Sequence, residues 1–157
     1  MKAGPAVDAE RLLAFELAGA LFALPITDVA EVTEVGALSA VPMLPTALGG
    51  VVNHHGDALL VVNGALLLER EPGPEPPKHL LVLARDPDDP DRFGLPVDRI
   101  QGLVDGPAVA SRGPGPVALI RPADGRLMHV LDPHRLRERA QTTIERSMSV
   151  SSQGGAS

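Results

Sequence analysis

The sequence contains no cysteine, no tryptophan and no tyrosine. Without thiols it has no disulfide framework, no thiolate metal site and no cysteine nucleophile. Three phenylalanines are its only large aromatic residues. The interior must therefore be filled by Leu, Val, Ile and Ala, and stacking of nucleobases on exposed rings is excluded as a binding mode. A formal charge of −6 also repels nucleic-acid phosphates. No apolar run approaches the roughly 20 residues that span a bilayer, no basic block offers itself to an anionic lipid surface, and the opening MKAGPAVDAE lacks the apolar core of a secretory signal. The expectation is a cytoplasmic, soluble protein with no nucleic-acid partner and no direct membrane insertion.

What is present is apolar material in short pieces. At 157 residues and 44% apolar content, the chain suits one domain or two small subdomains sharing a core. RLLAFELAGALFALPI places Leu13, Phe15 and Leu17 on one strand face, turns at Gly19-Ala20, and continues with Phe22, Leu24 and Ile26. TDVAEVTEV admits either a helical turn capped by Thr27 or a strand through Val32, Thr33 and Val35. Pro42 and Pro45 break the chain, GALLLE suggests a short helix, and residues 70–78 hold four prolines in nine positions, a stiff exposed loop. HLLVLAR and RFGLPVDRI read as strands joined by DPDDPD, an acidic loop without the Gly and Glu of a calcium site and so expected to be a solvated turn. VALIRP and RLMHVL form a last hairpin, and Asp132 caps a closing helix with Pro133 at its first position.

About nine strands with turn signals every ten residues or so predict a mainly β fold of two small barrels packed side by side, with short helices and a C-terminal helix. Residues 1–9 are expected to be loose, residues 10–141 to form the domain, and residues 142–157, without apolar periodicity, to be a disordered tail.

The stretch LGGVVNHHGDALLVV sets His54 and His55 at a hairpin bend. A metal site, a catalytic base, a partner contact and plain exposed loop residues are all open readings. Neighbours on an extended strand point to opposite faces, so the two rings are not expected to meet. A metal would need two further ligands, and His79, His129 and His134 supply no metal-binding spacing. There is no Gly-x-Ser-x-Gly elbow and no phosphate-binding glycine loop. The residues thus point to a binding module, with no catalytic residue, metal or cofactor assigned.

Several segments together resemble the CheW-like domain family, the coupling modules of bacterial chemosensory arrays. LGGVVNHHGDALLVVNG is similar to that family's Leu-Gly-x-x-Asn-Leu-Arg-Gly motif and the strand after it. FALPITDVAEV, FGLPVDRIQGLV and LIRPADGRLMHVLDPHRL resemble its apolar strand with Val-x-Glu-Val, its Gly-hydrophobic-x-Val-Asp segment and its closing hairpin, in the same order. The resemblance runs from about Leu12 to Arg139. It implies two intertwined five-stranded SH3-like β-barrels without catalytic activity. The implied partners are the cytoplasmic tips of methyl-accepting chemoreceptors, the regulatory domain of a CheA-type histidine kinase, and other CheW-like domains. Carried over by position, Val29, Glu31 and Gly50 fall where members contact receptor or kinase, and Val82, Gly94, Ile100 and Leu103 around a receptor-facing groove. Val82, Ile100 and Leu103 also read as core residues, and the two glycines as backbone requirements. Asp98 reads as closing a turn or capping a backbone group.

The match breaks at informative places. His55 stands where members usually carry Arg, His54 replaces Leu, and Asn63 and Gly64 replace Asp and Leu. An Arg offers a permanent charge and a five-donor fork that imidazole lacks. Loss at His55 and Asn63 together reads as a neutralised pair of partners and implies a divergent adaptor with weakened contact to a CheA-type kinase. The alternatives are a conventional coupling protein with full kinase-activating capacity and, from a different class, a small-barrel ligand-binding protein or enzyme.

Overall fold

Strands that bury both faces need apolar residues at every position, and the chain opens with two of them. A computed structural model describes residues 11–34, 40–41, 48–71, 77–86, 88–106, 109, 112–113 and 115–155. Strands β1 (Arg11–Leu17) and β2 (Ala20–Pro25) are buried almost throughout, β2 at all six positions. A 3-10 turn (Ile26–Asp28) follows, capped by no side chain, so Thr27 is not a helix cap. The chain then enters β3 (Val29–Glu34), which settles the ambiguous segment as turn and then strand.

Five more strands complete the middle of the chain: β4 (Ala40–Val41), β5 (Leu48–His54), β6 (Asp57–Val62), β7 (His79–Leu83) and β8 (Phe93–Val97). Helix α1 (Gly64–Leu67) lies between β6 and β7. The last strands are β9 (Arg99–Asp105), β10 (Val117–Ala123) and β11 (Arg126–Leu131), and α2 (Pro133–Gly155) ends the described chain. Two sheets result, in the orders β10-β11-β2-β1-β9 and β3-β7-β8-β6-β5-β4. The mainly β, two-subdomain expectation holds, with eleven strands among the described residues where about nine were expected. The sheets are intertwined in chain order: the first is built from both ends of the domain, the second from everything between.

Strand alternation explains how so few aromatics fill the interior. Leu13, Phe15 and Leu17 of β1, Phe22 and Leu24 of β2, Leu81 and Leu83 of β7, and Phe93, Leu95 and Val97 of β8 share one core with Leu136 and Ala140 of α2. The alternate positions face the other way. Leu12, Ala14, Leu21 and Ala23 join Met128 and Val130 in a core private to the first sheet. Val52, Leu59, Val61, Leu80 and Val82 form one private to the second. Each sheet therefore encloses a small core of its own and packs against the other through the central one.

Helix α2 starts as its sequence dictates: Asp132 Oδ1 accepts the backbone N–H of His134 at 2.9 Å and of Arg135 at 3.4 Å. It runs to Gly155, so the segment from 142 expected to be a disordered tail is helical up to that residue. Among the described side chains of this helix, Ala140 is the last that is buried in the core. Apolar periodicity is no requirement for helix: once the capped first turns are docked, each further residue only propagates. Residues 1–9 and 72–76, the centre of the Pro-rich loop, lie outside the described residues.

Candidate functional site

The β5–β6 hairpin is closed by His55 and Gly56, with φ values of 53° and 87°. Two successive positive φ values are the signature of the tight turn whose twist matches paired strands. The side-chain Oδ1 of Asn53 accepts the Gly56 backbone N–H at 2.9 Å and pins the bend. Because His55 occupies the left-handed region, strand alternation ends at His54. The two rings therefore converge, their centroids 4.2 Å apart, which corrects the expectation that they point apart.

Both rings meet the same partner. His54 Nε2 and His55 Nε2 each lie 2.9 Å from Glu31 Oε1. Glu31 belongs to β3, at the far end of the second sheet, four strand steps from β5. In a flat sheet those steps amount to roughly 19 Å. The contact is possible only because the sheet curls until β3 approaches the β5–β6 bend, so Glu31 and the two imidazoles form the clasp of this barrel. Hydrogen bonds from His55 and then His54 hold the Glu31 carboxyl below its ordinary range, against a smaller opposing effect of desolvation. His54 is largely covered and His55 is open to solvent, at 12% and 72% side-chain exposure.

The clasp faces a cleft of about 650 Å³ lined also by Asp57, Val82, Arg85, Asp86, Asp88 and Arg92. Its far wall is the acidic loop, and this loop is more than a solvated turn. Asp89 is 5% exposed, accepts the backbone N–H groups of Arg85 and Asp91 at 2.9 Å each, and pairs with Arg137 of α2 at 2.8 Å. Burial raises the Asp89 pKa, but those two N–H groups and the Arg137 guanidinium outweigh it, and the net shift is downward. Sequence alone offered no sign of this, since the partner lies 48 residues away.

A family model, that of the CheW-like domain, matches residues 11–141, from the first residue of β1 into α2. The chain belongs to the CheW-like domain family. Members of the family are non-catalytic coupling scaffolds, and this chain is not an enzyme. Among solved structures it is similar to the crystal structure of the scaffolding protein TtCheW from Thermoanaerobacter tengcongensis. The two share 19% identity and superpose with a TM-score of 0.60 over 78% of this chain and 88% of that one, a likeness of fold. No curated protein matches the sequence. Among the described residues no helix is long and apolar enough to cross a membrane.

Of the positions carried over from the CheW-like pattern, the structure gathers three. Glu31, His55 and Val82 all line the cleft, although Val82, at 1% exposure, belongs to the private core of the second sheet. The others do not converge there. Val29 and Ile100 are half-buried against the central core. Gly94 pairs with Val82 across β7–β8, and a Cβ there would meet Leu80 at 3.0 Å and Val61 at 3.2 Å, so any larger residue would have to push both side chains aside. Gly50 pairs with Val61 in the β5–β6 ladder. Leu103 is 51% exposed on β9, in the other sheet. Thus Val82 and Gly94 belong to the second sheet and Ile100 and Leu103 to the first.

Two further readings have opposite outcomes. Asn63 lies past the end of β6, about 20 Å of chain from the His55 bend, and its carbonyl accepts the Leu67 N–H at the start of α1. His55 and Asn63 are therefore not a paired loss in one neighbourhood. Asp98, by contrast, acts as the sequence suggested: its Oδ2 accepts the Ala18 N–H at 2.9 Å and ties down the β1–β2 turn.

Proposed function

We propose that this CheW-like protein is a non-catalytic adaptor of a bacterial chemosensory system, working at the cytoplasmic tips of chemoreceptors. It links those receptors with a CheA-type histidine kinase or with other CheW-like domains, and its kinase contact is weakened. Membership of the CheW-like family supports the adaptor role. The observation that carries the weakening is internal: Glu31, at a family contact position, is already engaged by His54 and His55 of its own chain. His55 itself stands where members usually offer Arg. A partner that reaches for either group must first displace an intramolecular hydrogen bond, and it gains no permanent positive charge in return. Hydrogen bonds to charged groups contribute about 1.5–3 kcal/mol, so loss of one lowers affinity roughly tenfold to a hundredfold.

Titration against the regulatory domain of the kinase encoded in the same genome tests this. The expected Kd is above about 1 µM, with His55→Arg tightening it roughly tenfold or more. Submicromolar binding by the unaltered chain overturns the weakening but leaves the adaptor role standing. Failure to bind receptor tip, kinase and CheW-like domains alike overturns the adaptor role itself.

A further inference from the structure

We propose that Glu31, His54 and His55 form a binding site for a single divalent transition-metal ion of the zinc class, which staples the second barrel closed. The proposal stands on the geometry of the clasp and does not depend on the adaptor reading. The three residues present one carboxylate oxygen and two imidazole nitrogens, all within 4.8 Å of one another. Two donors bound to zinc at about 2.05 Å stand about 2.9 Å apart at a right angle and about 3.4 Å apart at the tetrahedral angle. The Nε2–Oε1 separations are 2.9 Å for both rings, so each nitrogen–oxygen pair needs to open by at most a few tenths of an ångström to share an ion, and the two nitrogens lie within 4.8 Å of each other.

The donor set selects the ion. Two nitrogens and one oxygen, with no thiolate in the chain, suit zinc, cobalt, nickel or copper, whereas calcium and magnesium want oxygen cages. Three protein ligands leave a further position for water, as in open zinc sites. The surroundings are suitably preset. The His55 backbone is fixed by the Gly56 turn and the Asn53 hydrogen bond, His54 is mostly covered, and Glu31 is held in the β3–β7 ladder opposite Val82. Neutral imidazole carries its proton on either nitrogen, so moving it from Nε2 to Nδ1 frees the lone pair that now lies behind each hydrogen bond to Glu31. The ion then replaces two protons as the bridge between β3 and the β5–β6 bend.

Isothermal titration of the full chain, stripped with a chelator, with zinc chloride tests the site. Cobalt chloride serves as a spectroscopic probe, because four-coordinate cobalt absorbs strongly in the visible. One ion per chain is expected, with cobalt bands and a rise in Tm. His55→Asn keeps a side chain that tolerates positive φ, and it and Glu31→Gln are each expected to weaken binding at least tenfold. His134→Asn, on the exposed face of α2, leaves binding unchanged. Circular dichroism of each variant confirms that a loss of binding is not a loss of fold. Absence of binding at about 100 µM zinc, or binding that neither clasp variant weakens, overturns the proposal.

Discussion

Ala18-Gly19 and His55-Gly56 carry the chain around two hairpins on nearly the same dihedral path, with first φ values of 51° and 53°. The surroundings of the two bends differ completely. The β1–β2 bend is tied inward by Asp98, and its strands are buried on both faces, contributing to the central core and to that of the first sheet. The β5–β6 bend stands at the mouth of a cleft, and its residues after the last buried strand position are polar. One backbone device thus serves two ends. Where the strands are apolar on both sides, the turn only connects; where one side is wet, the turn residue carries a side chain that reaches another strand, here Glu31 of β3. At the second bend the left-handed residue is an imidazole, and its unusual φ is what brings two adjacent rings onto one carboxylate.

The largest effect expected from breaking this contrast lies under the first hairpin. Phe22→Ala removes a ring that is 1% exposed and stacks with Phe15, and a loss of about 3–5 kcal/mol is expected in denaturant unfolding. Next comes the wall that faces the second hairpin. Arg137→Met strands the buried Asp89 carboxylate at an expected cost of about 3 kcal/mol. The same pair gives an acid signature. The folded Asp89 pKa is depressed, so its contribution is complete above the ordinary Asp value near 3.8 and disappears as pH falls through the lower folded value. Asp89→Asn is therefore less stable than the parent at pH 7 and loses less of its remaining stability on acidification below pH 4 or so; urea midpoints across that window measure the difference. The smallest effect belongs to the second bend. His55→Asn keeps the turn, and stability in the absence of metal is expected to change by no more than about 0.5 kcal/mol.

Strand existence, the two-cluster architecture and the Asp132 cap were legible in the sequence, because apolar alternation and capping residues are local signals. So was the role of Asp98, since a lone carboxylate beside a buried strand must find donors nearby. The clasp was only half legible. Glu31 stood out as a contact position carried over from the CheW-like pattern, and His55 as a departure from it, but their contact depends on how far the second sheet curls. That His54 joins them depends on one positive φ, which no composition rule assigns to histidine. Asp89 was misjudged because an acidic loop looks alike in the sequence whether it is hydrated or clamped by a distant arginine. The extent of α2 was missed because a capped helix can propagate without a periodic apolar signal in its later turns.

The order in which the chain weaves its two sheets constrains how it emerges during synthesis. Strand β1 finds its neighbour β9 only when Arg11 meets Asp105, after every strand of the second sheet has been made. Closing a loop of that length costs about 4 kcal/mol in chain entropy, and until then an almost wholly apolar hairpin waits at the ribosome with both edges bare, since β11, the neighbour of β2, is made later still. Cutting the chain at the Pro-rich loop therefore yields no autonomous half: the leading fragment lacks the strands that cover its first hairpin, and the trailing one lacks the hairpin they are built to cover.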